Sequence, residues 1–308
     1  MLIRFLLIFF SFCFLSSQEK KQPHFQSKTL PPPCSFPILY PRPTSPNYIC
    51  GDSFRNWADF AFDELRSPLN PLDVKHGDTI FVQANYLDRF FQNIHPLILH
   101  PYILITHNDD ADIPGIYRDF LDNDKIIAWF GEDYDGYPHP KIHIIPMGMA
   151  NSNWPNGKPK LMDSTISLKI QKKHLLHLAF TYQTNSNERL PLLHHFSKIP
   201  FCYCPPAKGL PKYWIDVASS KFELCPRGIA LDTYRLWECL YLGTIPIVKS
   251  SSLDPLLKDL PVLIVEDWSL ITEQFLNEKF LEFQKKSFNM DKLKFSYWKK
   301  MINSYKPK

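Results

Sequence analysis

The 308-residue chain balances 35 Lys and Arg against 31 Asp and Glu, a net charge of +4, which gives no basis for a nucleic-acid partner. With 44% hydrophobic and 21% charged residues it has ordinary globular composition, and its length suits two α/β lobes with parallel sheets. Twenty-eight prolines against ten glycines is an unusual balance, and many of the prolines fall between residues 23 and 71.

Arg4 precedes an apolar run over residues 5–15, closed by Ser16 and Ser17 and then by Glu19, Lys20 and Lys21. Eleven positions are too few to span a bilayer, which takes about 20. Residues 1–17 therefore read as an export signal or a short membrane anchor, and residues 18–50 as a proline-rich extended lead-in. In an exported chain, Cys34 and Cys50, which bracket this proline-rich stretch, are the first candidates for a disulfide. Cys225 and Cys239 lie in core-like segments and are expected as buried thiols.

From residue 51 the chain becomes globular. The aromatic spacing of Phe54, Trp57, Phe60, Phe62 and Leu65 predicts one helix over residues 54–65. Strands are expected at 78–83, 102–106, 126–130 and 142–145, with helices at 86–94 and 115–121, which is the pattern of βαβ units in a parallel sheet. Residues 151–160, with Pro155, Gly157 and Pro159, form the expected boundary between a first lobe at 51–160 and a second at 161–308. The second lobe opens with a helix at 164–176 and a strand at 177–181. Further strands are expected at 199–204, 222–225, 245–248 and 261–265, and two closing helices at 269–286 and 291–304.

Residues 221–248 carry the strongest chemical signal. A strand is broken by Pro226 and Gly228, Asp232 or Thr233 can cap the next helix, and Gly243 stands where a helix stops. A strand–turn–helix of this kind places its turn at the carboxyl edge of a sheet, where α/β proteins bind ligands. Arg227 in the turn, with backbone donors at Gly228 and the helix start, suits a diphosphate. Arg235 and Glu238 lie three apart on one helix face; Glu238 can accept two ribose hydroxyls, although a surface ion pair explains the two residues equally well. No G-x-G-x-x-G, P-loop, H-E-x-x-H or G-x-S-x-G is present, which removes support for nicotinamide redox, P-loop, zincin and α/β-hydrolase chemistry.

Lys221-Phe222-x-Leu224-Cys225-Pro226-Arg227-Gly228, then Thr233-x-Arg235-x-x-Glu238 and Gly243-x-Ile245-Pro246-Ile247, resembles the donor-binding segment of exostosin-like glycosyltransferases. Asp254, Leu260-Pro261 and Asp267-Trp268 continue the pattern, which covers residues 177–275 well and the first lobe more loosely. Gly131-Glu132-Asp133 departs from the glutamine-asparagine pair of close relatives. The resemblance implies a GT-B fold and a nucleotide-sugar donor, uridine-linked by preference, with no other cofactor and with a glycan or other hydroxyl acceptor. Arg227 and Arg235 would meet the diphosphate and Glu238 the ribose, Gly228 and Thr233 would belong to the same donor site, and Thr181, Thr184, Asn185 and Arg189 would approach from the other side.

An inverting, metal-independent transfer needs a base, for which the strand-end acids Asp110 and then Glu132 are the candidates. Asp110-x-Asp112 also spells a metal-binding pattern of single-lobed transferases, and a non-catalytic exported binding protein is a further alternative. Because nucleotide sugars do not cross bilayers unaided, the expected locations are a donor-supplied secretory lumen (Golgi or endoplasmic reticulum in a eukaryote) or the cytoplasmic face of a bacterial inner membrane, with membrane association through the N-terminus.

Overall fold

The computed structural model describes residues 41–64 and 69–307. The expected signal or anchor, most of the lead-in and Cys34 lie outside them.

Two five-stranded sheets, parallel throughout, build the described chain. The first follows helix α1 (Gly51–Trp57) and runs in the order β1 (Phe60–Phe62), β2 (Thr79–Gln83), β3 (Tyr102–His107), β4 (Ile126–Gly131), β5 (Ile142–Ile144). With strands added one after another and right-handed crossovers, every connection falls on the same face. Leu87 of the short helix α2 (Leu87–Arg89), with Phe90, Phe91, Ile98 and Leu121 from the connections, buries against Ile80, Val82, Leu104 and Trp129 there. The opposite face offers Phe81, Ile103, Ile105 and Phe130, and the alternation of side chains along a strand dictates that these point away from the first set. They pack on Phe54 of α1 and on the C-terminal helix α9 (Phe295–Asn303) through Trp298 and Ile302.

The expected helix over 54–65 is corrected. The helix stops at Trp57 and Phe60–Phe62 forms edge strand β1, because Asp59 turns its carboxylate onto the backbone N–H and hydroxyl of Thr79, both at 2.8 Å, and docks the segment against β2. Residues 42–50 also belong to the folded body. Arg42 pairs with Asp52 at 3.0 Å, Tyr48 meets the Tyr241 ring edge-on at 4.8 Å, and the Ile49 N–H donates to Tyr241 Oη at 3.0 Å. Cys50 is buried, its Sγ 3.3 Å from Ser53 Oγ.

Helix α3 (Pro159–Ser167) leads into the second lobe, which contains β6 (His174–His177), α4 (Ser186–Phe196), β7 (Cys202–Tyr203), α5 (Leu210–Ala218), β8 (Ser220–Leu224), α6 (Tyr234–Tyr241), β9 (Ile245–Lys249), α7 (Asp254–Leu257), β10 (Leu263–Val265) and α8 (Glu273–Lys285). Its strand order is β10-β9-β8-β6-β7. The order reverses between β6 and β8, so the connections leave to opposite sides and open a crevice at the carboxyl ends of those two strands. β6 lies three residues earlier than expected, which places residues 178–181 beyond the strand, in the loop at its carboxyl end. Cys225 and Cys239 are buried free thiols, as expected, and Gly243 ends α6 at φ +67°.

One apolar core includes side chains of both lobes, joining Ile103 and Phe130 to Leu236, Trp237 and Leu240. A polar tie crosses the same seam. The Met147 N–H donates to Asp232 Oδ2 at 2.9 Å, and the Trp237 indole donates to the same carboxylate at 2.9 Å. No described helix is long and apolar enough to cross a membrane.

Candidate functional site

A cleft of about 740 Å³ lies over the β6–β8 crevice, lined mainly by the second lobe and, from the first, by Asp110 and Met147. Of the residues expected at a donor site, Thr181, Thr184, Arg189, Gly228, Thr233, Arg235 and Glu238 line it together. Arg227 is outside the lining. Its exposed guanidinium turns back to donate to Ile229 O at 2.7 Å. Asn185 is also outside; its amide donates to Glu188 Oε2 at 3.2 Å.

Arg189 projects from α4 and is nearly buried. Its donors reach Arg227 O at 2.8 Å, Thr181 O at 2.7 Å, Thr184 Oγ1 at 2.6 Å and Pro226 O at 2.9 Å. The side chain thus staples the loop after β6 to the turn after β8. Gly228 fits beside it: a Cβ there would stand 3.3 Å from the guanidinium. All these acceptors are neutral, and among the described residues the Arg189 charge has no carboxylate partner within 4 Å. Burial, and then the neighbouring Arg235, pull its pKa down to about 10, still charged at neutral pH. Phe180 lies between the two cations, 5.6 Å from the Arg189 guanidinium carbon and 5.7 Å from that of Arg235. Two guanidinium groups thus flank one ring, Arg189 bonded to neutral oxygens and Arg235 facing the Glu223 carboxylate.

The Arg235 anchor differs from the one the helix spacing suggests. Its Nε lies 3.7 Å from Glu223 Oε1, an ion-pair distance too long for a hydrogen bond. Glu223 is fully buried on β8, and its other oxygen, Oε2, contacts His177 Nδ1 on β6. The two residues are register partners across the strands, so their side chains point to the same face. Glu238 is buried beside them. Burial raises its pKa to about 7 against the lowering effects of Arg235, Trp214 and Tyr213. Tyr213 Oη and Trp214 Nε1 stand close to that carboxylate without closing a well-formed hydrogen bond. Five buried polar atoms make no well-formed hydrogen bond here: Glu223 Oε1 and Arg235 Nε face each other at ion-pair distance, Tyr213 Oη and Trp214 Nε1 face Glu238, and His177 Nε2 has no partner among the described residues. Buried polar atoms are almost always satisfied, so the unpartnered His177 Nε2 at the cleft floor marks where a polar ligand or water belongs.

Across the cleft, Asp110 is held by a rigid support. Asn108, in the left-handed region at φ +70°, donates its backbone N–H to Glu132 Oε1 at 2.8 Å and its amide to Asp52 Oδ1 at 3.2 Å, and accepts from Asn151 Nδ2 at 2.8 Å. This approach is close enough that Gly51 tolerates no Cβ, which would fall 1.7 Å from Asn108 Oδ1. Asp110 is exposed, and partial burial, Glu132 and Asp109 raise its pKa. Glu132, the second candidate base, is buried below the loop with Oε1 3.1 Å from His107 Nδ1, and it does not line the cleft. Asp112 is exposed, and among the described residues no group of three or more His, Cys, Asp or Glu is arranged to hold a metal ion.

Sequence reasoning missed His177, Glu223, Tyr213 and Phe180. A carboxylate inside an otherwise apolar strand at residues 222–225 was the available signal for Glu223. His177 and Phe180 sit in the apolar run 175–180, where a core reading is the ordinary one.

Neither a protein-family model nor a curated protein matches this chain. Among solved structures, the crystal structure of the GtfA/B complex is similar at 10% identity and a TM-score of 0.35, over 75% of this chain and 55% of that one. The chain thus spans about half the length of that structure's chain.

Proposed function

We propose that this protein is a glycosyltransferase that holds a nucleotide-diphosphate sugar in the β6–β8 cleft and passes the sugar to a hydroxyl acceptor. The observation that carries the reading is the Arg189–Arg235 pair around Phe180, in which Arg235 faces Glu223 and Arg189 has no carboxylate partner within 4 Å among the described residues. The lining also includes the mainly apolar stretch Cys204, Pro205, Pro206, Ala207 and Leu210, with Lys208 among them. A ligand that matches both parts is anionic at one and flat and apolar at the other, as a nucleotide is. The resemblance at residues 221–248 makes the donor a UDP-sugar.

In the mechanism, Arg189, Arg235 and the backbone at Gly228 neutralise the departing diphosphate. Glu238 accepts ribose hydroxyls in its ionised form, which is populated above about pH 7. Asp110, facing the cleft from the other lobe, takes the acceptor's proton as its oxygen attacks the anomeric carbon, so the product is inverted. Two fixed guanidinium groups supply the charge that a divalent cation would otherwise bring. The reading of residues 1–17 as an export signal or short anchor goes with a location in the secretory pathway or at a membrane surface.

A screen of the full chain for sugar release from nucleotide sugars, with and without a strong chelator, tests this reading. Turnover of a UDP-sugar that survives the chelator is expected. Turnover abolished by chelation would favour the metal-dependent alternative through Asp110 and Asp112, and absence of turnover with retained UDP binding would favour a non-catalytic binding protein.

A further inference from the structure

The proposed donor site leaves open what distinguishes one nucleotide from another, and the His177–Glu223 pair bears on that question. His177 ends β6 at the floor of the cleft, which the arginine pair and the mainly apolar stretch at residues 204–207 also line. Its Nδ1 contacts Glu223 Oε2, while the Arg235 guanidinium stands 3.7 Å from the other carboxylate oxygen and supplies the counter-charge. A carboxylate can only accept, so it fixes the proton of a neutral imidazole on Nδ1. Nε2 is then a lone pair that cannot donate. It is buried and has no partner among the described residues. His107 satisfies both nitrogens, with the Asn108 N–H and Pro146 O; His95 and His143 also leave Nε2 unpartnered, but neither lines the cleft, whereas His177 does.

We infer that His177, locked in one tautomer by Glu223, is the specificity-determining acceptor for the base of the nucleotide, and that it takes the ring N–H of a lactam-type base such as uracil. Uracil presents N3–H there; cytosine, of the same size, presents a bare N3 lone pair that would face the Nε2 lone pair. The inference rests on the nucleotide-donor reading of the cleft. Glu223 acts through His177 and is a positioning residue.

Calorimetric titration of the full chain with UDP, CDP and inorganic pyrophosphate tests it. UDP is expected to bind at least about tenfold more tightly than CDP, the order of one buried hydrogen bond made against one opposed. Glu223→Gln, nearly isosteric, releases the tautomer, and His177→Phe removes the acceptor while keeping a ring. Both are expected to bring the UDP-to-CDP ratio to about threefold or less while retaining pyrophosphate binding. Damage to the fold alone would weaken both nucleotides together and leave the ratio in place. Equal affinity of UDP and CDP in the unmodified chain, tighter binding of CDP, or a ratio that survives in both variants would overturn the inference while pyrophosphate binding still supports the donor site. If neither UDP nor pyrophosphate binds, the donor-site reading and this inference fall together.

Discussion

The two sheets share size and strand direction, yet only the second has a strand-order reversal that opens a crevice at its carboxyl edge. In the first, strands follow in sequence from β1 to β5, so no neighbouring pair has connections leaving to opposite sides. At its strand ends Asn108 bonds with Asp52, Asn151 and Glu132, and His107 with Pro146, although Glu132 Oε2 and both Asp133 oxygens there also lack a side-chain partner among the described residues. In the second, the reversal at β6 and β8 leaves a crevice, where among the described residues His177 Nε2 has no partner and Arg189 no carboxylate within 4 Å. Strand order, more than the pairing of polar atoms, is what separates the two edges. The first lobe's contribution narrows to Asp110 on a rigid loop.

The largest effect expected from disturbing this division of labour is at Asp110. Asp110→Asn should lower turnover by roughly 10²- to 10⁴-fold, the usual range for a lost general base, with little change in UDP affinity. A matched loss of binding would move Asp110 from catalysis to donor recognition.

Arg189→Ala removes a nearly buried cation and four hydrogen bonds to two loops. It should weaken UDP binding by about 2–4 kcal/mol, as truncation of buried charge contacts does, and lower the melting temperature as well. Arg189→Lys keeps the charge without the fork and should restore only part of either.

The seam between the lobes gives a third test. Asp133 is 1% exposed at φ +55°, and among the described residues its carboxylate has no side-chain partner, with only the Asp232 backbone beside it. Burial, then Glu132 and Asp232, raise its pKa to about 9. The folded chain therefore holds a proton that the unfolded chain releases near pH 4, so stability falls as pH rises from about 4 to about 9 and levels off beyond. Asp133→Asn is neutral at every pH and tolerates the left-handed backbone. It should add about 2–4 kcal/mol near pH 7 and flatten that slope, measured by denaturant unfolding across the pH range.

The smallest effect is expected at Arg227. Its exposed side chain meets only Ile229 O, so Arg227→Ala should alter stability by less than about 0.5 kcal/mol and UDP affinity by less than about threefold. A large loss would mean that the turn rearranges to bring Arg227 into the cleft.

Much of the second lobe was legible because the proline-glycine turn and the glycine stop are punctuation with a direct steric basis. Pro226 and Gly228 break the chain before α6 and Gly243 ends it, much as their chemistry requires, and the placement of Arg235 and Glu238 on one helix face follows from helical spacing. The 54–65 segment was misread because its aromatics satisfy a helical period while Asp59, through its bonds to Thr79, forces a strand. The run 174–180 fits a strand in more than one register, since an apolar stretch buried on both faces carries no alternation to fix its ends. The strand reversal at β6 and β8 was beyond local reading altogether. It depends on which neighbours pair across the sheet, and only that pairing brings Glu223 beside His177 and away from the role of an ordinary core acid.

The most direct test of the account is calorimetric titration of UDP into the full chain and into Arg235→Ala. One site is predicted, with affinity falling at least about tenfold in the variant, as expected for the loss of a charged contact in a partly buried cleft. Absence of UDP binding, or equal affinity in the two proteins, would contradict the assignment of the β6–β8 cleft as the nucleotide site.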